Sequence, residues 1–183
     1  MKQHLRRHST TAGVAAVAVS APILYGSQQA LSAATDHPSD PPSHAITIGP
    51  DALTPGDTIV ACITVTSAVA GPADARLRAG VLDGPTAPAI ADVAVRVETV
   101  DQPAPECATA TSPGTVFNGP LVDRPDALTQ RHLDRATALA AAWSPVHTGE
   151  QQTYRMTLSL DEVADVAHVT TPSVRFVWDV VPR

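Results

Sequence analysis

The histidines of this chain lack the spacing that a zinc-dependent hydrolase requires. Such an enzyme places two histidines four residues apart on one helical face with a glutamate between them, so that both imidazoles reach one ion and the glutamate activates water. Beyond residue 34, no histidine has a second one at that spacing: His37, His44, His132, His147 and His168. We therefore predict no metal site, no cofactor and no catalytic residue of this kind.

Acidic residues near three histidines offer weaker cation sites: His132 with Asp134, His147 with Glu150, and His168 with the acidic run 161–165. Such pairs are more often solvated surface groups than ligand sets. Residue counts leave a Ser/His/Asp triad open, but no Gly-x-Ser-x-Gly nucleophile motif is present. The residues therefore do not support an enzyme.

The two remaining reactive side chains, Cys62 and Cys107, are predicted to form a disulfide. An even cysteine count favours this bond in an exported chain, and the N-terminal residues 1–34 predict export. Alternation places Cys62 on the polar face of its strand, and Cys107 follows the proline-rich loop 102–106. A bridge would fasten the loop to the sheet and stabilise the fold by roughly 3–4 kcal/mol in the chain-entropy model. Two free or metal-binding thiols are the alternative.

Alternating apolar residues predict the strands that carry these side chains. In 152–160 and 174–180 the apolar residues occupy every second position, as a half-buried antiparallel strand requires. The turn Leu53-Thr-Pro-Gly-Asp57 introduces another strand. Strands are also predicted at 45–48, 58–66, 73–82 (with Ala75, Leu77, Ala79 and Val81 inward), 91–99 and 114–118. The pattern indicates a mainly β, antiparallel β-sandwich whose aromatic side chains belong to the core.

Two segments between the strands are predicted to be helical. Asp123-Arg-Pro-Asp126 has the composition of a helix start, with Pro125 in the first turn. The helix is expected over 126–141, with Leu128, Leu133, Ala136 and Leu139 buried. A second short helical piece is expected at 161–165.

The N-terminus has the order of an export signal. A basic start precedes an apolar run over 12–24, and small residues follow at 30–34. The run is short for a membrane span, so we expect residues 1–34 to be a signal peptide cut after Ala33 or Ala34, with an uncleaved anchor as the alternative. Residues 35–43 are expected to be a disordered spacer. The product would be secreted or held at the cell surface and would meet the membrane only transiently.

The charge balance argues against nucleic acid as a partner. The chain carries 12 Lys+Arg and 18 Asp+Glu, a net charge of −6. Residues 1–34 hold three basic and no acidic residues, so the remainder carries nine arginines against 18 acidic residues, a net charge of −9. Neutralising phosphates needs a basic stripe, and the linear sequence shows none.

Residues 44–183 resemble the TasA/camelysin family of secreted Gram-positive surface and biofilm-matrix proteins, in its actinobacterial form. The motifs that carry the resemblance are Leu53-Thr-Pro-Gly-Asp57 and the stretch from Trp143-Ser-Pro145 through Gly149-Glu150 to Leu160. Two features depart from the family pattern. The cleavage region 25–33 is of the general signal-peptidase type, and Ser67-Ala-Val-Ala-Gly71 replaces an Asn-x-Gly turn.

The resemblance implies a jelly-roll sandwich with one short helical insert. It also implies a structural or adhesive role in the extracellular matrix, with self-association or other extracellular proteins as partners. Matrix members polymerise when an N-terminal segment completes the sheet of the next subunit. The candidate donor strand here is Ala45, Ile46, Thr47 and Ile48, and the alternative is that this strand pairs within its own domain. A camelysin-like metal-dependent peptidase and an extracellular ligand-binding module are the alternative functions.

Overall fold

The computed structural model describes residues 43–49, 52–83, 92–122, 125–161 and 169–183. The strands within these ranges are β1 Ser43–Ile48, β2 Ala52–Leu53, β3 Thr58–Thr66, β4 Ala73–Asp83, β5 Val93–Val100, β6 Gly114–Pro120, β7 Leu139–Ala140, β8 Gln151–Leu160, β9 Val169–Thr170 and β10 Ser173–Pro182. Helical structure is short: a 3-10 helix at Ala104–Thr109 and α1 at Leu128–Arg131.

Two four-stranded antiparallel sheets form the sandwich. The first sheet has the order β1-β10-β4-β7 and the second sheet has the order β3-β8-β5-β6, while β2 and β9 form a small separate ribbon. The chain crosses repeatedly from one sheet to the other, with the N-terminal strand and the C-terminal strand paired in the first sheet. This is the jelly-roll arrangement of eight strands, so the predicted fold class is confirmed.

The core lies between the two sheets, as the alternation predicted. Tyr154 of β8 and both Phe176 and Trp178 of β10 are fully buried. The Tyr154 and Trp178 rings are 5.1 Å apart between centroids, and Phe176 stacks on Trp178 at 6.5 Å. Trp143 is partly buried against the same core. The prediction that these aromatic side chains belong to the core is confirmed.

The long helix predicted over 126–141 is wrong, since α1 ends at Arg131. Beyond it, the Ala79 amide donates to the carbonyl of His132 at 2.8 Å. The carboxylate of Asp134 then accepts hydrogen bonds from the amide and the hydroxyl of Thr137, both at 2.9 Å. These bonds compete with helix propagation. Leu128 is buried as expected, but Leu133 is 53% exposed.

The prediction for β4 is wrong at its last inward residue, Val81. Val81 is 45% exposed; it forms the last regular pair of β4 with β10, before the register shift between Ser173 and Val174. The predicted helical piece at 161–165 lies outside the described residues except for Asp161, which is not helical. The predicted spacer also lies outside them except for Ser43, which opens β1.

Candidate strand-exchange site

The strand β1 forms one edge of the first sheet. It pairs antiparallel with β10 along its whole length, from Ser43 opposite Asp179 to Ile48 opposite Val174. Within the described part of the chain, no strand pairs with the other edge of β1. The predicted donor residues Ala45, Ile46, Thr47 and Ile48 therefore all lie in this edge strand, and they pair within their own domain.

The side chains of β1 contribute directly to the core. Ile48 is only 6% exposed, and Ile46 packs, partly buried, against the same cluster. Burial of an isoleucine side chain stabilises a fold by about 1.5–3 kcal/mol. The partner strand carries Phe176 and Trp178, the two large rings at the centre of the core. Without β1, the hydrogen-bonding edge of β10 would face solvent beside these rings.

Both ends of β1 are tied to neighbouring elements. At the start, His44 Nε2 donates to the carbonyl oxygen of Thr66, at the end of β3, over 2.9 Å. At the other end, Gly49 has φ +92°, a left-handed conformation that favours glycine. A Cβ at this position would lie 2.7 Å from the carbonyl oxygen of Pro172. The strand is therefore bounded by one cross-sheet bond at its start and by one residue at its end that must be glycine.

The turn predicted at Leu53-Thr-Pro-Gly-Asp57 connects β2 to β3. The Asp57 carboxylate accepts hydrogen bonds from the hydroxyl of Thr54 at 2.6 Å and from its amide at 2.8 Å. These two bonds hold the pKa of the Asp57 carboxyl below its ordinary value. Gly56 takes φ +88° and its amide donates to the carbonyl of Leu160 over 3.0 Å, which fixes the turn against β8.

The predicted disulfide between Cys62 and Cys107 is present. It joins β3 to the 3-10 helix on the outer face of the second sheet, where both cysteines and Val100 form a small separate apolar cluster. Cys107 is fully buried. The bond therefore fastens the loop around residues 101–111 to the sheet, as the sequence predicted.

An arginine that sequence reasoning missed holds the same loop. Arg155 Nη1 donates to the carbonyl oxygens of Cys107, Ala108 and Ala110 at 3.2, 3.3 and 2.8 Å. Its Nε and Nη2 donate to Glu98 Oε2 at 3.1 and 2.8 Å. Glu98 and Arg155 both occupy outward positions of predicted strands, so the sequence alone could identify each as an outward-facing charged residue. Their meeting depends on the register of β5 and β8, which opposes Glu98 to Arg155.

Two polar clefts border this loop. One, of about 580 Å³, is lined by the side of the loop that carries Asp101, Glu106 and Thr109. The other, of about 390 Å³, lies between the loop and the start of β8, with Gln152 and Thr153 in its wall. Among the described residues there is no group of three or more His, Cys, Asp or Glu side chains that could hold a metal ion.

The remaining predicted site residues are dispersed or lie outside the described ranges. His132 Nδ1 binds the carbonyl of Thr137 at 2.6 Å, and Glu150 accepts a hydrogen bond from the Val146 amide at 3.1 Å. The signal-cleavage residues Ala33 and Ala34, and also His168, fall outside those ranges. Across the described ranges, no helix has the length and apolar character needed to cross a membrane.

Comparisons with known proteins do not identify a family. No protein-family model matches the chain, and no curated protein is similar to it. A search of solved structures finds a likeness to PliG of Aeromonas hydrophila, a periplasmic inhibitor of g-type lysozyme. The match has 11% sequence identity and a TM-score of 0.32, and it covers 76% of this chain and 87% of PliG. A likeness of this size carries no conclusion about function.

Proposed function

We propose that this protein is a secreted structural or adhesive component of the cell surface or extracellular matrix, which self-associates by exchanging β1 between copies. The observation that carries the proposal is the position of β1. It is an edge strand of the first sheet, and within the described residues it pairs only with β10. It also contributes Ile46 and Ile48 to the core.

Exchange would preserve the interactions that β1 makes within one domain. Its backbone bonds to β10 and its buried isoleucines would be the same whether the strand came from the same copy or from another. Main-chain hydrogen bonds supply the affinity in this mode of recognition. Exchange of an identical element is therefore a low-cost route to association, and protein concentration would shift the balance.

The disulfide supports the extracellular setting. Structural disulfides persist in oxidising compartments and are rare in the cytosol of mesophiles. The bond between Cys62 and Cys107 closes a loop with a sequence separation of 45 residues, and one of its cysteines is fully buried. Together with the export signal expected over residues 1–34, it supports a site of action outside the cytoplasm.

The test is assembly of the chain from Thr35, concentrated at neutral and mildly acidic pH and imaged by negative-stain electron microscopy. We expect filaments that disappear when residues 35–48 are deleted. Because deletion of a core strand can prevent folding, a second variant is needed. Ala45 lies opposite Val177 in the β1–β10 pair, so A45C/V177C can tether β1 to its own domain.

The tethered variant makes the proposal falsifiable without loss of the strand. After oxidation as a dilute monomer it should remain monomeric on concentration, and it should assemble once the new bond is reduced. The single variants A45C and V177C serve as controls and should assemble like the parent chain. Filaments from the oxidised double variant would contradict strand exchange, as would a parent chain that stays monodisperse at every concentration.

A further inference from the structure

The outer face of the first sheet carries a concentration of arginines, although the chain as a whole has a net negative charge. The inward residues of β4 and β10 belong to the core, so the alternate positions of both strands point away from it. Arg76 and Arg78 occupy such positions in β4, and Arg175 occupies one in β10. Arg183 follows the same alternation just beyond β10, and Arg135 reaches this face from the loop after α1. We call these five residues the arginine face.

The register of the two strands spreads four of these arginines along the sheet. Arg175 lies opposite Gly80, Arg78 opposite Val177, and Arg76 opposite Asp179. The amide of Arg183 binds the carbonyl of Pro72, beyond the start of β4, at 3.1 Å. Neighbouring levels on one face are about 6.6 Å apart. The cationic groups therefore form a strip, longer than a single small anion can span.

Two carboxylates neutralise only part of the strip. Asp179 is 1% exposed. Its Oδ2 accepts a hydrogen bond from Arg78 Nε at 2.8 Å and also forms an ion pair with Arg135 Nε at 3.8 Å. Arg183 pairs with Asp74 at 2.8 Å in an exposed position, and such a pair contributes little stability. In the described part of the chain, neither Arg76 nor Arg175 forms an ion pair.

The described side chains that border this strip carry no aromatic rings, and Val177 and Asp179 within it are buried. On the β1 side, the residues at the same levels are Ser43, Ala45 and Thr47, all small. The aromatic side chains of β10 point into the core. Among the described residues, the arginine face therefore has no aromatic platform on which a nucleic-acid base could stack.

We propose that the arginine face binds an extended phosphodiester polymer that has no bases, with poly(glycerol phosphate) as the simplest example. Guanidinium groups match phosphate oxygens through paired hydrogen bonds. A polymer with one backbone charge in each repeat can follow the strip from Arg175 to Arg183. This inference does not rest on strand exchange, because β1 contributes no charge to the face.

The experiment is titration of the chain from Thr35 with poly(glycerol phosphate) at several salt concentrations. R76Q/R175Q removes the two arginines without ion pairs, so the fold should be preserved. The matched control, R96Q/R131Q, removes the same charge from two exposed arginines: Arg96 on the outer face of the second sheet and Arg131 on α1. We expect R76Q/R175Q to weaken binding about tenfold or more and to lower the salt dependence, while the control binds like the parent chain.

Each other outcome overturns the proposal in a defined way. Equal weakening by both double variants would mean that only net charge matters. Tighter binding of single-stranded DNA or of polyglutamate than of poly(glycerol phosphate) would assign the face to another class of polymer. No polymer binding, combined with altered assembly of R76Q/R175Q, would assign the face to a second copy of this chain. Normal filaments without polymer binding would refute this inference and leave the proposed function intact.

Discussion

Arg155 of β8 lies directly opposite Glu98 of β5, and its guanidinium joins that carboxylate to the disulfide-bound loop. Two of its nitrogens bind Glu98 Oε2 at 3.1 and 2.8 Å, while the third contacts three loop carbonyls. The side chain of Glu98 is only 4% exposed and that of Arg155 is 15% exposed. One arginine therefore pairs with a buried carboxylate and also donates hydrogen bonds to the loop that carries Cys107.

Replacement of Arg155 by methionine should destabilise the protein by about 3–5 kcal/mol. The reason is that Glu98 would stay buried with the loss of its principal partner, and breaking a buried pair from one side costs this much. Chemical denaturation monitored by tryptophan fluorescence measures the change.

The matched comparison for Arg155 is Arg96, which also binds Glu98, through Oε1 at 2.8 Å. Its side chain is 53% exposed, so R96M should cost no more than about 1 kcal/mol. If R155M and R96M have equal effects, the buried pair is not the element that secures the loop.

Replacement of Gly49 by alanine should destabilise the junction that follows β1. The new Cβ would lie 2.7 Å from the backbone oxygen of Pro172, which cannot move as a side chain could, and the φ of +92° adds strain. We expect a loss of more than about 2 kcal/mol in the free energy of unfolding. Thermal and denaturant unfolding both report it.

Gly71 provides the control for this substitution. It has φ +108°, but a Cβ added at this position would have nothing within 4 Å, so G71A contains the conformational strain without the collision. A cost of about 1–2 kcal/mol is expected. Equal losses for G49A and G71A would show that the contact with Pro172 has no energetic importance.

Substitution of Thr54 by valine should raise the pKa of Asp57 toward its ordinary value without reaching it. The hydroxyl bond is the largest cause of the depressed pKa, and the bond from the Thr54 amide would remain. A depressed pKa in the fold contributes stability above the unfolded pKa, and this contribution is lost as pH falls through the folded pKa. In T54V, the protein should therefore lose less stability as pH falls through the pKa of Asp57.

Carboxyl-carbon NMR titration of Asp57 measures that shift in the parent chain and in T54V. Asp134 supplies an internal reference, because its pKa is lowered by separate bonds from Thr137. It should titrate identically in both proteins. An unchanged Asp57 titration, or a parallel change at Asp134, would contradict the local assignment.

Strand positions were largely predictable, whereas the connection after β6 was not. The limits predicted for 58–66 match β3, and both the disulfide and the aromatic core followed from alternation and composition. The helix predicted after Arg131 is wrong because the backbone there makes hydrogen bonds to β4 and within a turn at Asp134. Apolar spacing contains no information about such tertiary hydrogen bonds.

By itself, the sequence determined which segments alternate, most of the side chains that face inward and which cysteines pair, because these depend on local periodicity and on residue type. Only the tertiary structure decided which strands are neighbours and in what register. That register opposes Arg76 to Asp179 and Glu98 to Arg155, and it makes β1 an edge strand on β10. An acidic chain thereby acquires an arginine face, since charges distant in sequence meet only when their strands pair.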